Sequence, residues 1–298
     1  MQCLDVDMSG VFDPNRVPAQ TLPDTATLLT VTAVGLAVVG GFFYWLVRRT
    51  LSPREDLSQS TSPGSHVAAG ALLLVGTYFV AQVIGSYAGM AFAGYTPVEN
   101  GPLPTPEQYH QIDIIRALIV LLTPIPYILF LKSGGATTTH IGLRGMGKRA
   151  AWIPLLCVTW TALSIATGWF AVAVSQCFDL GRDTQEVLAR TMQPSDWRLV
   201  ASILSPVMAA PLAEEFVFRV GLFGLARRYT GFWPAAIIVT LFFASLHGPV
   251  EQPQYIVPVS VLGLSLCWVY EQSRNVWFPV ALHAFHNASV LLLTGMLE

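Results

Sequence analysis

Long apolar runs broken by short polar segments dominate the chain. Runs long enough to cross a bilayer fall at 26–47, 66–93, 112–131, 150–175, 199–226, 232–250, 253–271 and 277–295. About 20 apolar residues in a helix span the hydrocarbon core, so the pattern predicts an all-α, polytopic membrane bundle of about eight transmembrane helices. Basic residues test that count. With the N-terminus outside, the inner loops hold Arg48, Arg49, Arg54, Lys132, Arg144, Lys148, Arg149, Arg227, Arg228 and Arg274. The outer segments hold only Arg16, Arg182, Arg190 and Arg198. Ten against four is the bias expected of an N-out, C-out protein, in a bacterial inner membrane or an internal eukaryotic one. Between the runs lie a Ser/Pro-rich inner linker at 52–65, a Pro-rich outer loop at 94–111 and a mixed-charge outer connection at 178–198. The TQEVLARTM stretch of that last segment is expected to form a short interfacial helix.

Composition supports the membrane assignment. Of 298 residues, 53% are hydrophobic and 11% charged, against about 25% charged in soluble domains; the mean hydropathy is +0.54. A formal charge of −2 and the lack of a basic run give no sign of a nucleic-acid partner. Cys3, Cys157, Cys177 and Cys267 are too scattered for a disulfide framework or a CxxC metal pair. The first two dozen residues hold four aspartates, one arginine and no apolar core, so no signal peptide is expected. Nor does the C-terminus read as a lipidation signal. Polar chemistry gathers late in the chain, which divides it into an N-terminal region, 1–135, with three spans and a functional core, 136–298, with five.

Within the fifth run, Glu214, Glu215 and Arg219 stand among Leu212, Val217, Val220 and Leu222. Each ionised group at a helix centre costs about 2.5–3.5 kcal/mol on an insertion scale, so all three need partners. Glu215 and Arg219 are four apart and share a helix face, where they can pair. Glu214 points about 100° away and is left for another role. Pro206 and Pro211 each remove a backbone N–H, which predicts a locally opened helix before the pair.

Two later runs supply further polar groups: His247 at the end of the sixth, and His283 and Asn287 on one face of the eighth. Rough depth counting puts Glu214, His247 and Asn287 in the middle third of the membrane, with His283 nearer the inner side. Glu, His, His and Asn provide a general base, partners for a water and donors for an oxyanion. There is no GxSxG elbow, no HExxH pair and no cysteine beside a histidine. The set favours hydrolysis by activated water, with no cofactor and no resident metal.

Glu-Glu-x-x-x-Arg at 214–219, Phe-x-x-x-His at 243–247 and His-x-x-x-Asn at 283–287 occur in this order on three late helices. Together they resemble the CPBP family of intramembrane proteases, also called ABI or Rce1-like, which includes CAAX proteases and bacteriocin-processing enzymes. Ile141-Gly142-Leu143-Arg144 and Asn275-Val276-Trp277 also look familial, and the likeness covers about 140–298. The resemblance implies that Glu214 activates water, with His247 as its partner. It implies further that His283 and Asn287 form the oxyanion hole and that Glu215 and Arg219 support the site. His286 matches no motif position. The implied partners are the bilayer and a peptide or protein substrate, with prenylated chain ends as the family precedent. Three alternatives use the same residues: a metal-dependent hydrolase with Glu214, His247 and His283 as ligands, a transporter or proton relay, and a silent scaffold or immunity-type protein.

Overall fold

The computed structural model describes residues 25–51, 64–98, 101–134, 142–178, 203–248 and 253–295, and all its regular elements are helical. The first four helices are α1 (Thr25–Leu51), α2 (Gly64–Phe92), α3 (Pro106–Val120) and α4 (Pro124–Ser133). A 3₁₀ turn, Gly147–Trp152, leads into α5 (Ile153–Cys177). Helix α6 is composite: a π-helical turn at Ser205–Ala209, α-helix at Ala210–Glu215, a second π-helical stretch at Phe216–Phe223, and α-helix again at Gly224–Tyr229. The chain closes with α7 (Phe232–Ser245), α8 (Pro253–Ser273) and α9 (Trp277–Gly295).

Over the described residues, each of the eight apolar runs is mainly helical. Among the described residues, five segments are long and apolar enough to cross a membrane: Ala26–Leu51, Ala68–Phe92, Pro106–Ser133, Gly147–Cys177 and Tyr255–Ser273. Phe232–Ser245 and Trp277–Leu293 are apolar but shorter. The surface is apolar as well, with Val38, Leu72, Val80, Leu118, Ile238 and Leu292 all more than half exposed. So continuous an apolar exterior needs lipid against it.

Three boundaries differ from the sequence expectation. Helix α3 starts at Pro106, inside the expected outer loop. Thr105 caps it, its hydroxyl accepting from the Gln108 N–H while the Gln108 side chain accepts from the Thr105 N–H, a capping box with proline at the first helical position. The third run is also broken, into α3 and α4, because Pro124 has no N–H to give the Val120 carbonyl. The Thr123 N–H and hydroxyl donate to that carbonyl instead, at 3.1 and 2.8 Å. The sixth run leaves helix after Ser245, so His247 sits in the turn that follows α7. The inner linker from 52 to 63 and the expected interfacial helix within 178–198 lie outside the described residues.

Two apolar clusters hold the bundle together. One joins Leu74 and Tyr78 of α2, Val120 of α3 and Tyr127 of α4 to Phe216, Val217 and Phe223 of α6 and Phe243 of α7. The other joins Phe43 and Val47 of α1 to Trp160 and Leu163 of α5, Leu266 of α8, and Phe278 and Leu282 of α9. The early helices therefore pack directly around the late ones.

At one end of the bundle the two short familial segments touch. The Val276 N–H donates to the Gly142 carbonyl at 3.0 Å, and the Asn275 side-chain amide donates to the Arg144 carbonyl at 2.8 Å. Asn275 Oδ1 also accepts from the Trp277 N–H at 2.9 Å, which starts α9. Gly142 has φ +72° and approaches the Tyr270 hydroxyl and the Val276 nitrogen, a conformation that favours glycine. Arg144 and Arg149 both donate to the Ser273 carbonyl, and Arg149 also donates to that of Leu51. Cations thus close the C-terminal ends of α8 and α1, where helix dipoles favour positive charge. This clasp fixes where α9, with His283 and Asn287, enters the bundle.

Candidate active site

The backbone of α6 departs from α-helical geometry on both sides of Glu214 and Glu215. In the first π turn the Ala210 N–H bonds the Ser205 carbonyl, five residues back. The next acceptor in that register is the Pro206 carbonyl, facing position 211, and Pro211 has no hydrogen to give. Asn287 of α9 supplies it, its Nδ2 donating to the Pro206 carbonyl at 2.7 Å. The expected opening of the helix is present, and a side chain from another helix fills it. In the second π stretch the Gly224 N–H reaches back five residues to the Arg219 carbonyl.

Glu215 and Arg219 are fully buried, with Arg219 Nε 3.1 Å from Glu215 Oε2. The i,i+4 pair read from the sequence is therefore present. No hydrogen-bond partner reaches either terminal guanidinium nitrogen among the described residues. The guanidinium instead lies over the Phe243 ring, 4.8 Å from its centroid, a cation–π contact worth most where water is excluded. The same ring packs on His247, with centroids 4.3 Å apart, and edge-on to His283 at 5.9 Å. Phe243 is thus the shared platform of the cluster, although its place in Phe-x-x-x-His showed only that it precedes a histidine by one turn.

The two histidines are oriented in the same way. His283 Nδ1 lies 2.8 Å from Glu215 Oε1, and His247 Nδ1 lies 2.7 Å from the Phe243 carbonyl. A carbonyl, and a carboxylate ionised against Arg219, can only accept, so in both rings Nδ1 carries the hydrogen and donates. The Nε2 atoms are then free to face inward. His247 Nε2 is 3.8 Å and His283 Nε2 3.9 Å from the same atom, Glu214 Oε2. These gaps are too long for direct hydrogen bonds and suit a bridging water. Glu214 Oε2 is buried and has no hydrogen-bond partner among the described residues.

The structure thus brings Glu214, His247 and His283 together around one carboxylate oxygen, with Glu215 and Arg219 behind them. Asn287 joins the same cluster through the backbone of Pro206, with one of its two amide hydrogens engaged there. His286 faces elsewhere: its Nδ1 accepts from Trp160 Nε1 at 3.2 Å, tying α9 to α5. No group of three His, Cys, Asp or Glu side chains among the described residues is spaced to hold a metal ion.

Residues 196–289 match the model of the family described as Type II CAAX prenyl endopeptidase Rce1-like. That segment takes in Glu214, His247, His283 and Asn287. The chain is similar to "Putative membrane peptidase YdiL" of Bacillus subtilis (strain 168), with 22% identity over 211 residues, 68% of this chain and 78% of that protein. It is also similar to "UPF0177 protein YvdC" of Lactococcus lactis subsp. lactis (strain IL1403), 26% identical over 137 residues, or 46% of this chain and 49% of that one. No solved structure matches the chain.

Proposed function

Residues 196–289 belong to the Rce1-like family, and from that premise we propose that this multi-pass membrane protein is an intramembrane endopeptidase whose water is activated by Glu214. One observation carries the proposal: Glu214 Oε2, without a hydrogen-bond partner among the described residues, faces two imidazole Nε2 atoms at 3.8 and 3.9 Å. A water between them donates one hydrogen to Glu214 and the other to a histidine. Both its hydrogens are then held, and a lone pair is left to attack.

As the water oxygen bonds to the peptide carbonyl carbon, its proton passes to Glu214 and the carbonyl oxygen becomes an oxyanion. Glu214 then returns the proton to the leaving nitrogen as the C–N bond breaks, giving a carboxylic acid and an amine. The second Asn287 amide hydrogen donates to the oxyanion. His283 joins it as a donor when Nε2 takes the water's second proton, which it gives back to the carboxylate product as the intermediate collapses; Glu215 at Nδ1 stabilises that transient imidazolium. Arg219 and Phe243 keep Glu215 and the rings in place. The family's prenyl endopeptidase description makes a prenylated chain end the first substrate to try.

Purified protein in detergent, offered matched prenylated and unprenylated peptides, tests this. Wild type is expected to cut at least one of them, with activity surviving a strong chelator. Glu214→Gln is expected to lose about 10²–10⁴-fold, the usual worth of a positioned base. Equal cleavage by the two proteins would sink the mechanism. Activity abolished by chelation and restored by zinc would favour the metal-dependent alternative.

A further inference from the structure

Helix α9 carries a third histidine that the proposed reaction does not use. His286 follows His283 by three residues and immediately precedes Asn287. It is buried, as is Trp160 of α5. The Trp160 Nε1–H donates to His286 Nδ1 at 3.2 Å, and the two rings meet edge to face with centroids 5.5 Å apart. An indole N–H can only donate, so His286 Nδ1 carries no hydrogen and Nε2 does. That is the opposite tautomer from His247 and His283. Breaking the bond would strand an N–H in the dry interior. Trp160 is itself held from behind, edge-on to Phe43 of α1 with centroids 5.9 Å apart.

These contacts divide the circumference of α9. Each residue turns a helix by about 100°, so seen from His283, Asn287 lies about 40° to one side and His286 about 60° to the other. His283 is tied to Glu215 and Asn287 to the Pro206 carbonyl, both on α6. His286 is tied to α5. Two ties draw α9 to α6, and the third holds it from the opposite flank. A side-chain atom about 6 Å from the helix axis moves about 1 Å when the helix turns by about 10°, and a 1 Å misplacement can cost about 10²-fold in rate. His283 Nε2 stands 3.9 Å from Glu214 Oε2, a gap for one water that a small turn would spoil.

We propose that His286 is a positioning residue: its hydrogen bond with Trp160 sets the rotation of α9 and thereby the aim of His283 Nε2 and Asn287. It acts through these two neighbours and not on the substrate. The consequence for turnover rests on the peptidase assignment above, whereas the link from Trp160 to His283 rests on geometry alone. Trp160 and Phe43 lie outside the family-matched residues 196–289. The brace that aims α9 therefore comes from helices α5 and α1, beyond that segment.

Two readouts test this, one of them independent of turnover. Side-chain nitrogen NMR of the full chain in detergent, assigned with single histidine variants, is expected to show hydrogen on Nε2 of His286 and on Nδ1 of His283. Trp160→Phe keeps an aromatic ring and removes the donor. It is expected to release the fixed tautomer of His286 and to shift the His283 signals. Unmoved His283 signals overturn the proposal whether or not any peptide is cut. In turnover, Trp160→Phe and His286→Leu are each expected to lower kcat about tenfold or more with KM within about twofold. The combined variant should stay within about twofold of the weaker single one. His286→Asn, whose Oδ1 takes the place of Nδ1 as acceptor, is expected to keep most of the activity. A loss confined to melting temperature with kcat unchanged overturns the proposal, and so does a His286→Asn protein as impaired as His286→Leu. Wild type that cuts no peptide contradicts the peptidase assignment, and the NMR result then decides the brace by itself.

Discussion

Two proline breaks in this molecule leave the same defect and mend it differently. Between α3 and α4, Pro124 orphans the Val120 carbonyl, and Thr123, the residue before the proline, donates to it. In α6, Pro211 orphans the Pro206 carbonyl, and the donor is Asn287, 81 residues later on α9. A local repair needs nothing from the rest of the bundle and lets the helix bend. The remote repair couples α6 to α9, one turn from His283 and about two turns from Glu214. The cost of a broken helix is thereby turned into register between the two elements that bear the proposed acid–base groups. An unsatisfied carbonyl in lipid costs several kcal/mol, which makes the tie hard to release.

Removing each donor should separate the two roles. Asn287→Ala is expected to lose about 10²-fold or more in kcat/KM, the scale of an oxyanion donor, together with about 1–3 kcal/mol of stability from the exposed carbonyl. Turnover and thermal melting in detergent measure both. In Asn287→Ala with Pro211→Ala, the new alanine N–H takes over the Pro206 carbonyl. Most of the stability is expected back and little of the activity; full recovery of turnover would mean that Asn287 acts only through the backbone. Thr123→Val keeps the shape and removes the hydroxyl donor, leaving the residue's own N–H on the Val120 carbonyl. It should cost about 1 kcal/mol in melting and leave kcat/KM within about twofold. A loss as deep as that of Asn287→Ala would show that the α3–α4 break is also tuned for catalysis.

Much of the site was legible because helix geometry is local. The four-residue spacing of Glu215 and Arg219 implied the buried pair seen at 3.1 Å, and the one-residue offset of Glu214 implied a carboxylate with a different outlook. Pro206 and Pro211 marked an opened helix. Features set by tertiary contact were not legible. Nothing near Asn287 in sequence names the Pro206 carbonyl as its acceptor. Gly142 and Val276 were notable separately, yet their hydrogen bond joins segments 134 residues apart. Pro124 was visible too, but the apolar run continues on either side of it, so hydropathy alone joined α3 and α4 into one span.

The central claim is that Glu214 and the two histidines act on one shared water. A double-mutant cycle in kcat/KM with Glu214→Gln, His247→Ala and the combined variant tests it most directly. Groups that act as a unit are strongly non-additive. The double variant is therefore expected to stay within about threefold of Glu214→Gln alone. Losses that multiply, so that the double variant falls by the full product of the single effects, would show that Glu214 and His247 serve separate steps and would contradict the account.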